Sequence, residues 1–219
     1  MDYDYGLWPV VAINVGIFIA FAFGVLRPKA RREWHSLGVL SAFVVALFTE
    51  MYGFPLTIYL VSAFLGRLPA DQPFSHLSGN LWASLFLTPA WGAVFMLVGG
   101  MLIGGGALLV SSAWRRIHSA HGVLVTLGPY AVMRHPQYAG LMLAILGALV
   151  QWPTVITLAM APVLVAIYWR LARQEDRELE ERFGERYRAY RERVRAFPPA
   201  RLPFSNRQPR GYLGEVRKG

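Results

Sequence analysis

Apolar residues run along this chain in long uninterrupted stretches, not in the one-faced or alternating patterns of a soluble domain, and their lengths predict helices. A bilayer core about 30 Å thick is crossed by about 20 helical residues. One run extends from Trp8 to Leu26, interrupted by Asn14. A second lies within residues 37–66 and carries Glu50, Gly53 and Pro55 near its middle, which predicts a run either tilted and kinked or broken into two pieces, with one kinked span favoured. A third, Ala90 to Val110, holds no charge, and its Gly92, Gly99, Gly100, Gly104, Gly105 and Gly106 make a face that another helix can approach closely. The last run, Gly140 to Trp169, is broken at Gln151, Trp152 and Pro153, predicting a tight hairpin of two helices, the first short. The pattern thus predicts an all-α polytopic membrane protein with about five transmembrane helices, the last two a helical hairpin.

Beyond the hairpin the pattern changes. From Arg170 to Arg195 charges of both signs crowd a helical sequence in which Phe183, Tyr187, Tyr190 and Val194 form one apolar stripe. This predicts a cytoplasmic C-terminal helix resting on the membrane surface and bent at Gly184. Orientation follows from the basic residues of the short loops. Arg27, Lys29, Arg31 and Arg32 follow the first span, Arg115, Arg116 and Arg134 follow the third, and the arginine-rich tail follows the fifth. The opposite loops hold Asp2 and Asp4, then Arg67 with Asp71. The positive-inside rule places the amino terminus outside and the carboxyl terminus in the cytoplasm. The acidic start lacks the basic region of a signal peptide, so the first apolar run is expected to stay as a span.

Composition agrees with the hydropathy pattern. Of 219 residues, 55% are hydrophobic and 16% charged, at a mean hydropathy of +0.36, which excludes an ordinary soluble domain. The net charge of +9 is explained by topology and anionic lipid headgroups, so the expected partners are membrane lipids and not nucleic acid. The chain has no cysteine, which excludes disulfides, thiolate metal sites and cysteine nucleophiles. His76 and His118 lack a metal-ligand spacing, and no metal is expected. Gly104 to Gly106 lack the strand and lysine of a phosphate loop and read as packing. Trp82, Trp91 and Trp152 read as interface anchors.

Three polar features remain. Glu50 is an ionisable group inside an apolar run, where it either faces a site cavity or is a hydrogen-bonded packing residue beside the kink. Arg134, His135 and Pro136 stand at the lip of the fourth span between Tyr130 and Tyr138, an arrangement that fits either headgroup snorkelling or a binding loop. Glu175 and Asp176 follow less than two turns beyond the last span.

The string "LVTLGPYAVMRHPQYAG" (residues 124–140), an apolar hairpin and then "QEDRELEERFGERYRAYRERV" resemble, in order and spacing, the isoprenylcysteine carboxyl methyltransferase family and related phospholipid methyltransferases. Those sequences share Leu-Val-Thr-x-Gly-x-Tyr, Arg-His-Pro-x-Tyr-x-Gly, a paired acid and Phe-Gly-x-x-Tyr-x-x-Tyr. The resemblance covers roughly residues 90–197 and divides the chain into N-terminal transmembrane helices (1–88), which show no such motif, and a methyltransferase core (89–219). It implies methyl transfer from S-adenosylmethionine to a lipophilic, membrane-partitioning acceptor at the cytoplasmic membrane face.

Carried over by position, the resemblance implies that Val123, Leu124 and Val125 present backbone groups to the cofactor and that Tyr130 packs on it. His135 and Glu175 hold its polar ends, with Tyr138 and Asp176 beside them. His121 stands for the family's histidine, displaced in register, and Asp176 replaces the second glutamate of the paired acid. Arg134, Arg170, Arg173 and Glu50 are the candidates for facing the acceptor. The chemistry is compatible, because an in-line displacement at a sulfonium methyl needs alignment and dryness more than a nucleophilic side chain, and aromatic faces favour the cation. Two other classes fit the hydropathy: an NADPH-dependent membrane reductase related to the sterol reductases, and a non-catalytic membrane protein.

Overall fold

The computed structural model describes residues 6–28, 31–65, 80–82, 89–120 and 122–197, less the side chains of residues 23, 25, 62, 65, 89 and 90. All extended secondary structure among them is helical. Helix α1 (Trp8–Phe21) is prolonged by a wider turn over Ala22–Leu26 and ends at Arg27, whose φ of 45° turns the chain sharply. Together they occupy the first predicted run.

The second run departs from expectation. Helix α2 (Arg31–Phe48) continues through a wider turn over Thr49–Gly53 and then stops, and α3 (Leu56–Leu65) begins as a separate helix. Of the two forms expected, the stretch takes the broken one and not the favoured single kinked span. Pro55 has no N–H to give the helix and pushes its predecessor out of helical geometry, and Phe54 is extended, at φ −113° and ψ 112°. The ten described residues of α3 span about 15 Å.

Helix α4 (Pro89–Ser119) carries the glycine-rich face. A loop and the one-turn helix α5 (Pro129–Val132) lead to α6 (Pro136–Gln151), and a turn through Trp152, Pro153 and Thr154 leads to α7 (Val155–Phe183). Thr154 caps α7 reciprocally with Thr157: each side chain accepts the other's backbone N–H, at 3.1 and 3.0 Å. This is the predicted hairpin. Gly184, at φ +54°, ends α7 and starts α8 (Glu185–Arg193), as the sequence predicts.

Two contacts bring these helices together around the later site. On the α4–α6 seam a Cβ at Gly106 would stand 2.5 Å from the Gly140 carbonyl oxygen, and one at Gly147 would stand 2.7 Å from that of Gly99. Only glycine permits that approach, so the predicted packing role holds for Gly99 and Gly106, whereas Gly92, Gly100 and Gly104 face open space. Helices α2 and α7 run antiparallel: the buried Tyr168 hydroxyl donates to the Ser36 carbonyl at 3.1 Å, and at the far end the Val155 N–H donates to Thr57 Oγ1 at 3.0 Å.

Large apolar side chains point outward along the bundle, with Phe64 83%, Leu108 73% and Met101 65% exposed. Arg31–Gly53, Trp91–Ser119 and Val155–Phe183 are long and apolar enough to cross a membrane, and Trp8–Phe21 and Pro136–Gln151 are shorter apolar helices. Such a surface belongs in hydrocarbon, and the molecule is an integral membrane protein.

Candidate active site

The site forms where the basic ends of the helices meet. Pro136 starts α6, so Arg134 and His135 lie in the loop that follows the extended Met133. Residues 194–197 return beside that loop: Arg134 N–H donates to the Arg195 carbonyl at 2.8 Å and His135 N–H to that of Ala196 at 3.1 Å. The Arg134 guanidinium reaches further, donating to the carbonyls of Arg191 at 3.0 Å and Val194 at 2.9 Å. Arg134 thus satisfies carbonyls at the end of α8 that have no helical partner.

Asp176 joins the loop to both terminal helices. One oxygen takes Arg134 at 2.9 Å, and the other takes His135 Nε2 at 2.8 Å together with the Tyr187 hydroxyl. Glu175, one residue earlier, has its Oε2 within 3.1 Å of Gln137 Nε2 and 3.6 Å of His135 Nδ1, and its Oε1 within 3.4 Å of Arg32. Burial disfavours the His135 imidazolium, but the hydrogen bond to Asp176 and the proximity of Glu175 outweigh it and raise the group above its ordinary value. Burial raises Tyr130, Tyr187 and Tyr190, so all three hydroxyls stay protonated donors.

Between these groups lies a cavity of about 260 Å³. Its walls are Arg32 from α2, Ile117 from α4, Gly122 to Val125 from the loop, Tyr130, Arg134 and Gln137, then Glu175, Leu179, Arg182 and Phe183 from α7 and Tyr187 and Tyr190 from α8. Gly122, at φ +89°, carries the Arg182 guanidinium against its backbone, where a Cβ would stand 2.8 Å from Nη2. An open groove of about 610 Å³, lined by Arg115, Arg116, Ser119 and Thr126, shares Val123, Leu124 and Val125 with the cavity. The Tyr130 hydroxyl and Arg32 Nε are buried without a hydrogen-bond partner, which marks this space as one where a polar ligand is accommodated.

Of the residues expected from sequence, Val123, Leu124, Val125, Tyr130, Arg134 and Glu175 line the cavity. His135, Tyr138 and Asp176 stand behind its wall: His135 and Tyr138 are each 1% exposed, their rings 5.9 Å apart, and Tyr138 stacks on Tyr168 at 6.0 Å. His135 contacts the two acids, Asp176 at 2.8 Å and Glu175 at 3.6 Å, and is not among the residues that line the cavity. His121 lies outside the described residues.

Arg170 and Arg173 are exposed and do not line the cavity. A helix turns about 100° per residue, so they point about 140° and 160° away from Glu175. Arg173 instead covers the Trp169 ring at 5.6 Å. Glu50 is at the other end of α2, about 27 Å from Arg32 by helical rise, where its buried carboxylate accepts the Thr57 N–H at 3.0 Å. Its position fits the packing alternative, as a side chain that satisfies the first turn of α3.

Sequence reasoning missed Arg32, Gln137, Arg182, Tyr187 and Tyr190. Tyr187 and Tyr190 stood in the tail stripe expected to rest on the membrane. They face inward instead, with the Tyr190 hydroxyl donating to the Tyr130 carbonyl at 2.6 Å. Arg32 carried no signal beyond its charge.

A helical membrane protein with a polar cavity at one end of its bundle, closed by a basic loop and a paired acid, is the class this geometry defines. Residues 94–186 match the family described as phospholipid methyltransferase. A protein-S-isoprenylcysteine O-methyltransferase B from Arabidopsis thaliana is 34% identical over 87 residues, 39% of this chain. The chain spans 42% of the length of that relative. No solved structure matches the chain.

Proposed function

We propose that this protein is an S-adenosylmethionine-dependent methyltransferase acting on a membrane-partitioning acceptor at the cytoplasmic membrane face. The observation that carries the reading is the cavity that joins the Val123–Val125 loop, Tyr130 and Glu175, because it unites the motif strings on either side of the hairpin. Its residues fit the methyl donor. The Glu175 carboxylate suits an ammonium or a ribose hydroxyl, the rings of Tyr130, Tyr187 and Tyr190 suit a sulfonium, and the unpartnered Tyr130 hydroxyl awaits an acceptor. When bound, S-adenosylmethionine supplies an activated methyl group on a positively charged sulfur.

The protein's own contribution is alignment and exclusion of water. Asp176, held by Arg134, His135 and Tyr187, fixes the loop against α7 and α8, and Tyr190 ties α8 to the loop at Tyr130. Glu175 is held from two sides, by Gln137 and His135 at one oxygen and by Arg32 at the other. The acceptor is a lipophilic molecule entering from the bilayer: an isoprenylcysteine-like carboxylate or a lipid headgroup, the two classes that the relatives' names support, or a hydrophobic small molecule. The basic loops around Arg32, Arg116 and Arg134 support a cytoplasmic site, with α1, α2, α4, α6 and α7 as the five crossings.

Calorimetric titration of the purified protein with S-adenosylmethionine and, separately, NADPH tests the reading, with Glu175→Ala as the control. Saturable binding of S-adenosylmethionine that the substitution weakens is expected. Binding of NADPH alone would replace the reading with a reductase, and binding of neither would remove the enzyme reading. Transfer of a radiolabelled methyl group into membrane extracts then identifies the acceptor.

A further inference from the structure

We propose that Arg32, in the N-terminal part of the chain and outside the matched segment, is a positioning residue of this site that holds Glu175 in its ligand-binding orientation. The proposal rests on the methyltransferase reading and adds to it a function for α2.

Arg32 stands on the first turn of α2 and bridges two acids one turn apart on α7. Its guanidinium lies 3.4 Å from Glu175 and hydrogen-bonds Glu178. Glu178 is further held by Gln174 at 3.1 Å. The antiparallel register of the two helices sets this meeting: Ser36, one turn along α2, takes the Tyr168 hydroxyl, two turns back along α7. Both Arg32 and Glu175 line the cavity, and the Tyr130 hydroxyl lies within electrostatic reach of both.

The two oxygens of Glu175 have different tasks. Oε2 faces Gln137 and His135, which belong to the matched segment, whereas Oε1 faces Arg32. A carboxylate 6% exposed is costly unless it is paired, and the Arg32 contact at 3.4 Å holds the oxygen that Gln137 and His135 leave free. Without Arg32 the carboxylate keeps its partners on one oxygen only and can rotate away from the cavity. The N-terminal helices, which carry no family motif, thereby complete the site instead of serving only as membrane anchor.

The test is a double-mutant cycle on the full-length protein in detergent, read by calorimetric binding of S-adenosylmethionine. Arg32→Gln is expected to weaken binding about tenfold, Arg32→Lys less, and Arg32→Gln combined with Glu175→Gln no more than Glu175→Gln alone. Glu178→Gln, which removes only the other partner, is expected to bind as wild type and controls for a general role of the acid cluster. Independent, multiplying losses for Arg32→Gln and Glu175→Gln would overturn the proposal, as would unchanged binding in Arg32→Gln or an equal loss in Glu178→Gln. Should Arg32→Gln not fold, Arg32→Lys decides: a loss absent from the Glu175→Gln background supports the proposal, and wild-type affinity overturns it. A wild-type protein that binds no S-adenosylmethionine overturns the methyltransferase reading and this proposal together.

Discussion

His135 Nε2 and Asp176 Oδ1 lie 2.8 Å apart although 41 residues separate them in the chain. The whole hairpin of α6 and α7 intervenes, so the pair forms only when the two helices have packed. It is buried, and the same carboxylate also receives Arg134 and Tyr187. Loop, α7 and α8 are thereby tied at one point.

Removing that point should be costly. Asp176→Ala leaves Arg134 and His135 without their acid, and breaking a buried pair in this way costs about 3–5 kcal/mol. A large drop in the detergent-solubilised melting temperature is expected, with earlier proteolysis near Gly184. An unchanged melting temperature would show that the ties to α8 lie elsewhere.

The raised His135 implies a particular pH dependence. A group whose folded value is above its ordinary 6.5 contributes stability that is fully present below that value and is lost as pH rises through the folded one. Wild type should therefore exceed His135→Gln in melting temperature most clearly below pH 6.5, and the gap should close on going alkaline. Thermal melts of both proteins across pH measure it, and a gap that grows with pH would contradict the ion-pair assignment.

Gly106 and Gly104 should differ sharply. An added methyl at Gly106 meets the Gly140 carbonyl at 2.5 Å, whereas at Gly104 it meets nothing within 4 Å. Gly106→Ala should cost about 1–3 kcal/mol through forced separation of α4 and α6, and Gly104→Ala should be neutral or slightly stabilising. Unfolding in mixed detergent compares the two.

Tyr130→Phe separates folding from binding. The hydroxyl is buried without a partner, so deleting it should leave the unliganded melting temperature unchanged or higher. Binding of S-adenosylmethionine should weaken by up to about tenfold, the value of one hydrogen bond. A fall in unliganded stability with full binding would assign the hydroxyl to the fold instead.

Much of this architecture was legible because apolar length and punctuation are local properties. Trp8–Leu26, the hairpin broken at Trp152 and Pro153, and the bend at Gly184 all follow from residues adjacent in the chain. The break after Gly53 was less so, since hydropathy continues through it while Pro55 ends the hydrogen-bonding ladder. Arg170 and Arg173 show the same limit: their depth along α7 matches that of the site, but their direction around the helix does not.

By itself, the sequence determined the helices, their apolar faces and the order of motifs by which residues 94–186 match the phospholipid methyltransferase family, because these depend on short-range periodicity and on residue identity. Only the tertiary structure decided which polar groups meet. Arg32 and Glu175 come from helices whose register is set by contacts such as Tyr168 to Ser36, and Glu50 is removed from the site by the length of α2. Direction around a helix and pairing between helices are properties of packing, and packing depends on the neighbouring surfaces together, not on either stretch of chain alone.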